Sequence, residues 1–186
     1  MSSAAAASAP IGVLALQGDW AAHLEALARA GLRGVTVRTP DALKGLGGLV
    51  LPGGESTAML RLIDHAGLAG PLAAFVASGA PLLATCAGLI LSAREVHDPA
   101  QPGFGWLDVR VRRNGWGRQL ASFVDSGRAF IRAPRVTAVG AEVTVLETVR
   151  GEPALLRQGR RWGATFHPEL SADCSSLYTT IFGETP

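Results

Sequence analysis

Lysine is nearly missing from this chain. Of its 17 basic residues only Lys44 is a lysine, and the arginines that make up the rest are spread from end to end. That spread reads as a compositional bias and not as a basic patch, and the formal net charge is only +2. Arg110, Arg112 and Arg113 do cluster, but they alternate with valine as a strand would, so no nucleic-acid partner is expected. Cysteine is scarce as well. Cys86 and Cys174 are the two present, with no paired-cysteine spacing. This argues against a disulfide framework and against a zinc site. Charge is missing altogether from Ala66 to Ala93, a stretch long enough to span a bilayer. Gly70-Pro71 and Ser78-Gly79-Ala80-Pro81 cut it into short pieces, so it reads as helix, turn, strand and turn, with no membrane partner. The Ala/Ser-rich start, residues 1–10, has neither a basic region nor a long apolar run. It reads as a flexible tail and not as a signal peptide. The cytoplasm is the expected compartment.

What is present is a globular core. A hydrophobic fraction of 48% with 17% charged residues over 186 positions suits a single domain, residues 11–186, with no internal repeat or interdomain linker. Ile11 to Leu16 is a continuous apolar run, as in a strand buried on both faces. Gln17-Gly18-Asp19 turns the chain, and Asp19 is placed to cap a helix whose Leu24, Leu27 and Ala28 share a face. Val35–Val37 and Leu49–Leu51 read as strands, with a helical turn at Pro40–Leu43 between them. Met59, Leu60, Leu62 and Ile63 form a helical stripe, Pro71–Val76 a further helix and Leu82–Ala84 the next strand. The alternation predicts an α/β fold: a mostly parallel sheet with helices on both faces. Short strands follow at Leu107–Arg113, Phe130–Arg132, Val143–Glu147, Ala154–Arg157 and Trp162–Phe166, with a hairpin-type turn at Gln158-Gly159-Arg160-Arg161. Cys174, Leu177, Tyr178 and Ile181 sit at helical spacing and close the chain.

Sites in such sheets lie outside the carboxyl ends of the strands. Four strand ends stand out: Gln17-Gly18, Gly53-Gly54-Glu55, Cys86, and His167-Pro168-Glu169. Ala84-Thr85-Cys86-Ala87-Gly88 has the spacing of a nucleophile elbow, with Cys for Ser and Ala for the first Gly. An ordinary buried cysteine fits that stretch equally well. A thiol nucleophile needs a base, and the base needs an orienting group. His167 and Glu169, two residues apart, supply both. Gly53-Gly54 offers backbone N–H groups for half of an oxyanion hole, through Gly54, and Ala87 N–H offers the other half. A plain glycine turn remains the alternative there. His23, His65 and His97 lack such company and are expected to be surface or structural histidines.

Together these residues resemble the class I, triad-type glutamine amidotransferases. Longer strings narrow the likeness: Val13–Gly18, Leu51-Pro52-Gly53-Gly54-Glu55-Ser56-Thr57, Thr85–Ile90, Arg113-Asn114 with Gly117-Arg118-Gln119, Phe130-Ile131-Arg132-Ala133-Pro134 and Phe166–Leu170. They are similar to the glutaminase subunits of pyridoxal 5′-phosphate synthase, from Ile11 to the last helix. The resemblance implies a flavodoxin-like, three-layer fold and hydrolysis of L-glutamine to glutamate and ammonia without metal or cofactor. It also implies a partner, the β/α-barrel (lyase) subunit that consumes the ammonia. By motif position it makes Cys86 the nucleophile and His167 and Glu169 the rest of the triad. Gly53, Gly54, Glu55, Arg113, Ile131 and Arg132 become glutamine-binding residues. An α-amino group suits a carboxylate such as Glu55, and an α-carboxylate suits an arginine. Trp116 replaces a smaller aromatic, the segment from Ser122 to Phe130 is short for the family, and the sequence ends early. Glutaminases of this class that serve another synthase, and non-enzymatic subunits on the same fold, are the rival readings.

Overall fold

The computed structural model describes residues 9–115, 122–171 and 173–183. Trp116, the Gly117-Arg118-Gln119 string, nearly all of the N-terminal tail and the Cys174 side chain lie outside that description.

The chain begins β1 (Ile11–Leu14), α1 (Trp20–Arg29), β2 (Gly34–Val37), β3 (Gly48–Leu51), α2 (Ser56–His65), α3 (Ala69–Ala77), β4 (Leu82–Thr85) and α4 (Ala87–Ser92). It continues β5 (Ala93–His97), β6 (Leu107–Arg112), β7 (Ser122–Asp125), β8 (Arg128–Ile131), β9 (Arg135–Val139), β10 (Thr144–Val149), β11 (Glu152–Gln158), β12 (Arg161–Ala164) and α5 (Cys174–Phe182). Single 3₁₀ turns occupy Pro40–Leu43 and Pro168–Leu170. The main sheet runs β10-β11-β12-β4-β3-β1-β2. Its strands from β12 to β2 are parallel, and β11 and β10 are added antiparallel at one edge. Strands β5, β6 and β9 form a small sheet, and β7 and β8 a hairpin.

The apolar runs of β1, β3 and β4 follow from their position in the middle of this sheet. Leu14, Leu49, Leu51, Leu82 and Ala84 point to the face covered by α2 and α3, where Met59, Ile63, Leu72 and Val76 meet them. Ile11, Val13, Val50 and Leu83 point to the other face, against Ala26 and Leu27 of α1 and Tyr178, Ile181 and Phe182 of α5. Successive side chains alternate between faces, so a strand covered on both sides must be apolar throughout. The result is three layers, helix on sheet on helix.

Several details differ from the sequence expectation. Ala28 is exposed, and the buried face of α1 is His23, Ala26 and Leu27. Leu62 of α2 is also turned outward, 37% exposed. Asp19 precedes α1 without a side-chain capping bond. The strand expected to end at Phe166 ends at Ala164, and that expected at Phe130–Arg132 is Arg128–Ile131, because Arg132 turns to φ 47° and leaves the ladder. Strands β5, β7 and β9 are additional. The arginines of β6 point outward opposite buried Val109 and Val111: Arg110 pairs with Glu95 and Arg112 with Asp98. No single helix among the described residues is long and apolar enough to cross a membrane. The uncharged stretch after Ala66 is divided among α3, β4 and α4.

Candidate active site

The parallel strands β1, β3, β4 and β12 end on one rim. At β4 the chain turns so sharply that Cys86 adopts φ 47° and ψ −103°. That conformation is unfavourable for a residue with a Cβ, and the surroundings hold it in place. The Cys86 N–H donates to the carbonyl of Ala164 on β12 (2.8 Å), and the Gly88 N–H donates to Pro52 O beyond β3 (3.2 Å). Gly88 must be glycine, because a Cβ would run into the Leu51 carbonyl. The elbow expected from spacing is therefore present, sandwiched between two neighbouring strand ends.

Beyond β12, Phe166 is buried in a cluster with Phe130, Leu155 and Ala164, and the chain then delivers His167 to the rim. The His167 N–H donates to Ala129 O of β8 (2.8 Å). Its imidazole contacts the Cys86 side chain, and Nδ1 lies 2.6 Å from Glu169 Oε1. Gly53 makes room for this ring: a Cβ there would collide with the imidazole. Cys86, His167 and Glu169 are all buried, at 6%, 3% and 3% exposure. Burial acts to lower the His167 pKa, but the Cys86 and Glu169 side chains outweigh it and push it up to about 10. Burial likewise acts to raise the Glu169 pKa, and His23 and His167 more than offset it, so its carboxyl stays below the usual range. An imidazole between a thiol and a carboxylate is the arrangement of a nucleophile with its base and the group that orients the base.

A cleft of about 320 Å³ opens over Cys86 and His167. Of the sequence-predicted residues, Gly54, Glu55, Arg113, Ile131 and Arg132 line it. Gly53, Ala87 and Glu169 stand behind this lining. Glu55 caps α2, accepting from Thr57 N (3.1 Å) and Ala58 N (2.6 Å), and Arg113 Nη2 reaches it at 3.2 Å. Its slight burial works toward a higher pKa, but these N–H groups and Arg113 hold it below the usual range. Carboxylate oxygens have four lone-pair sites, so an ammonium group can still be accepted. The Cys86 Sγ lies 3.8 Å from the Ile131 carbonyl oxygen. The Gly53 carbonyl accepts from Asp19 N (3.1 Å), so the Gly54 N–H on the opposite edge of that planar peptide faces away from the Gly18–Asp19 turn.

Three participants were given no site role from the sequence, although Gln17-Gly18 stood out as a strand end. Gln17 lines the cleft and accepts the Glu55 N–H (2.8 Å). Asp19 Oδ2 lies 3.8 Å from His167 Nδ1. His23, expected to lack company, is fully buried with Nε2 3.3 Å from Glu169 Oε2. His65 is exposed on α2, and His97 is half-buried and bonded to Thr137. The strand-end turn at Gln17-Gly18 was the available signal for the first two. Among the described residues Asp19, His167 and Glu169 are the only three metal-type ligands whose atoms converge. A protonated imidazole between carboxylates accounts for that convergence.

A strained cysteine elbow, an imidazole on the sulfur and a carboxylate on the imidazole, at the rim of a mostly parallel sheet, define a cysteine hydrolase of the class I glutamine amidotransferase type. Comparison with known proteins narrows the assignment. The chain matches the SNO glutamine amidotransferase family over residues 13–184 and belongs to that family. It is 47% identical over 173 residues to the pyridoxal 5′-phosphate synthase subunit PdxT of Koribacter versatilis, covering 88% of this chain and 89% of that protein. It is 46% identical over 188 residues to the PdxT subunit of Deinococcus radiodurans, covering 93% and 95%. A crystal structure described as a glutamine amidotransferase superimposes with a TM-score of 0.84 at 39% identity, over 93% of this chain and 98% of the other.

Proposed function

We propose that this chain hydrolyses L-glutamine to L-glutamate and ammonia, and that it passes the ammonia to a separate barrel-type subunit making pyridoxal 5′-phosphate in the cytoplasm. The observation that carries the reading is the Cys86–His167–Glu169 chain at the elbow, with a 2.6 Å bond between histidine and carboxylate. The synthase-subunit relatives supply the choice of pathway. A non-enzymatic subunit would have no use for a cysteine held at φ 47°.

In this reading glutamine lies in the cleft with its α-amino group toward Glu55 and its α-carboxylate toward Arg113 and Arg132. Ile131 borders its side chain and Gly54 forms the floor, with Gly53 behind it making room for the His167 ring. The Cys86 thiolate attacks the side-chain amide carbon, and the oxyanion sits against the Gly54 and Ala87 N–H groups. His167 gives its proton to the departing ammonia, leaving a γ-glutamyl thioester. Water then gives a proton to His167 and attacks the thioester, which frees glutamate and restores the thiolate. Glu169 orients the ring and stabilises its charge throughout. No step needs a metal or an organic cofactor.

Docking of the barrel subunit is the natural switch, because a free glutaminase would leak ammonia. Turning the Gly53–Gly54 peptide costs little in glycine. It would exchange the Gly53–Asp19 bond for a reoriented Gly54 N–H, and one oxyanion donor is worth ~10²–10³ in kcat. The test is ammonia release from glutamine by the chain alone and with saturating synthase subunit of the same organism. Turnover that rises at least ~10²-fold on docking is expected. No release in either condition refutes the function, and a full rate in isolation refutes the switch.

A further inference from the structure

The buried face of a helix packed on a sheet is ordinarily aliphatic, yet α1 places an imidazole there, fully buried beside Ala26 and Leu27. A buried polar ring is costly unless its nitrogens are bonded. Both nitrogens of His23 have partners. Nδ1 is 2.6 Å from the Tyr178 hydroxyl of α5, and Nε2 is 3.2 Å from Thr85 Oγ1; Glu169 Oε2, buried without a hydrogen-bond partner, lies 3.3 Å from Nε2 as a charge contact. Those partners lie far off in sequence, and two of them adjoin the reaction. Thr85 immediately precedes Cys86, and Glu169 is the carboxylate behind His167. Its other oxygen, Oε1, is already bonded to His167.

We infer that His23 is a positioning residue for the glutaminase reaction: its imidazole is bonded to the hydroxyl of Thr85 and lies against the otherwise unpartnered oxygen of Glu169, holding base and nucleophile in register. The inference rests on the glutaminase reading above. The proton's location follows from the partners. A neutral imidazole has one donor and one acceptor nitrogen. An ionised Glu169 facing Nε2 requires a donor there, because a lone pair would repel it, so Nδ1 accepts from the Tyr178 hydroxyl. Burial lowers the His23 pKa, and the counter-effect of Glu169 does not reverse this, so the ring stays neutral. The positive charge of the site is then concentrated on His167, where the reaction needs it. The His23 ring also bridges the layers, because α1 and α5 hold it on one side of the sheet while β4 and the Pro168–Leu170 turn carry the reacting groups.

The other charged groups around Glu169 are few. Asp19 lies in the turn before α1, 3.8 Å from His167. Arg29 of α1 donates to the Glu169 main-chain carbonyl (3.0 Å). Arg128 of β8 is committed to Glu147 and Asp173. His23 Nε2 lies 3.3 Å from Oε2 and acts to hold the Glu169 pKa down, so its loss should raise that pKa.

The test is steady-state glutamine turnover by the full chain with saturating synthase subunit, as a function of pH. In His23→Leu, which suits the apolar surroundings, kcat falls ~10–100-fold with little change in KM. The acid limb of kcat/KM moves up by ~1 pH unit, because the carboxylate has lost a neighbour that favoured its charged form. In His23→Gln the side-chain amide can place an N–H near the Nε2 position, and both kcat and the acid limb return toward wild type. Should the leucine variant fail to fold, His23→Gln against His23→Asn carries the comparison, because the shorter amide reaches only the Nδ1 position. Glutamine superior to asparagine supports the inference. Wild-type kcat and acid limb in His23→Leu overturn it, as do equal losses in Gln and Asn with an unmoved acid limb. No ammonia release by the wild-type complex overturns the glutaminase reading and this inference with it.

Discussion

The two walls of the cleft are built differently. The wall proposed to carry the chemistry, Cys86, His167 and Glu169, sits at the ends of β4 and β12 and is almost wholly buried. Its supports are parallel ladders and a core covered on both faces. The wall proposed to recognise substrate, Glu55, Arg113, Ile131 and Arg132, is half-buried or exposed. Much of it comes from the ends of β6 and β8, which belong to the small sheet and the hairpin. The hairpin is held by stacking of Phe123 on Phe130 and by ion pairs, Arg128 with Glu147 and Asp173, and Arg150 with Asp125. Exposed ion pairs contribute only ~0–1 kcal/mol each, whereas burying one large aliphatic side chain contributes ~1.5–3 kcal/mol. In the proposed reading, chemistry is placed on the buried parallel ladders and substrate contacts on the more exposed rim. That division would suit the proposed control of turnover by docking.

The largest effect expected is on the chemistry itself. Cys86→Ala should lower kcat by ~10⁴–10⁶, with Cys174→Ala near wild type in an ammonia-release assay. His167→Asn should be nearly as damaging and Glu169→Gln less so. The double variant Cys86→Ala, His167→Asn should cost little more than either change, since the pair acts as a unit. Multiplicative losses would contradict that. Leu51→Ala probes the same wall through its support. It should destabilise the chain by ~2–5 kcal/mol in chemical denaturation, because Leu51 is fully buried under α2.

On the recognition wall effects should be smaller and of another kind. Arg113→Ala should raise KM ~10–100-fold with a lesser change in kcat, the worth of one charge-assisted hydrogen bond. A loss confined to kcat would place Arg113 in the chemistry and erase the distinction between walls. Arg150→Ala should cost at most ~1 kcal/mol of stability and leave kcat unchanged.

Stability against pH separates the walls once more. The His167 pKa is about 10 in the fold, against ~6.5 for an unperturbed histidine. A raised pKa means that the folded state holds the proton more tightly. The contribution is complete below pH ~6.5 and is lost as pH rises through about 10. Melting temperatures measured across that window should fall, and the fall should be shallower in Cys86→Ala, which removes one cause of the shift. An unchanged slope in that variant would show that the sulfur does not hold the proton on His167.

The same contrast decides what could be read in the sequence. Buried parallel strands must be apolar on both faces, so β1, β3 and β4 are visible as runs, and the residues that follow them are visible as strand ends. Cys86, Gly53-Gly54 and His167-Pro168-Glu169 are local strings with a local geometric reason. His23 has no such string. It is bonded to Thr85 and Tyr178 and lies against Glu169, 62, 155 and 146 positions away, and only the folded sheet brings them together. Ala28 was misplaced for a related reason, because the buried stripe of α1 passes through a histidine that a hydrophobic reading skips. Strands β5, β7 and β9 carry exposed charged or polar residues and pair at the edge of the molecule, where the apolar pattern is faint. The expected Asp19 cap failed because its carboxylate lies near His167 instead of closing the α1 N-terminus.

The central claim is that Cys86 is the nucleophile toward the side-chain carbonyl of glutamine. The most direct measurement is mass-spectrometric mapping of the chain after treatment with an electrophilic glutamine analogue, such as its diazoketone, in the presence of the synthase subunit. The account predicts a single covalent adduct, on Cys86, that is prevented by excess glutamine and absent from Cys86→Ala. An adduct on Cys174 that glutamine prevents, or ammonia release that survives complete modification of Cys86, would contradict it.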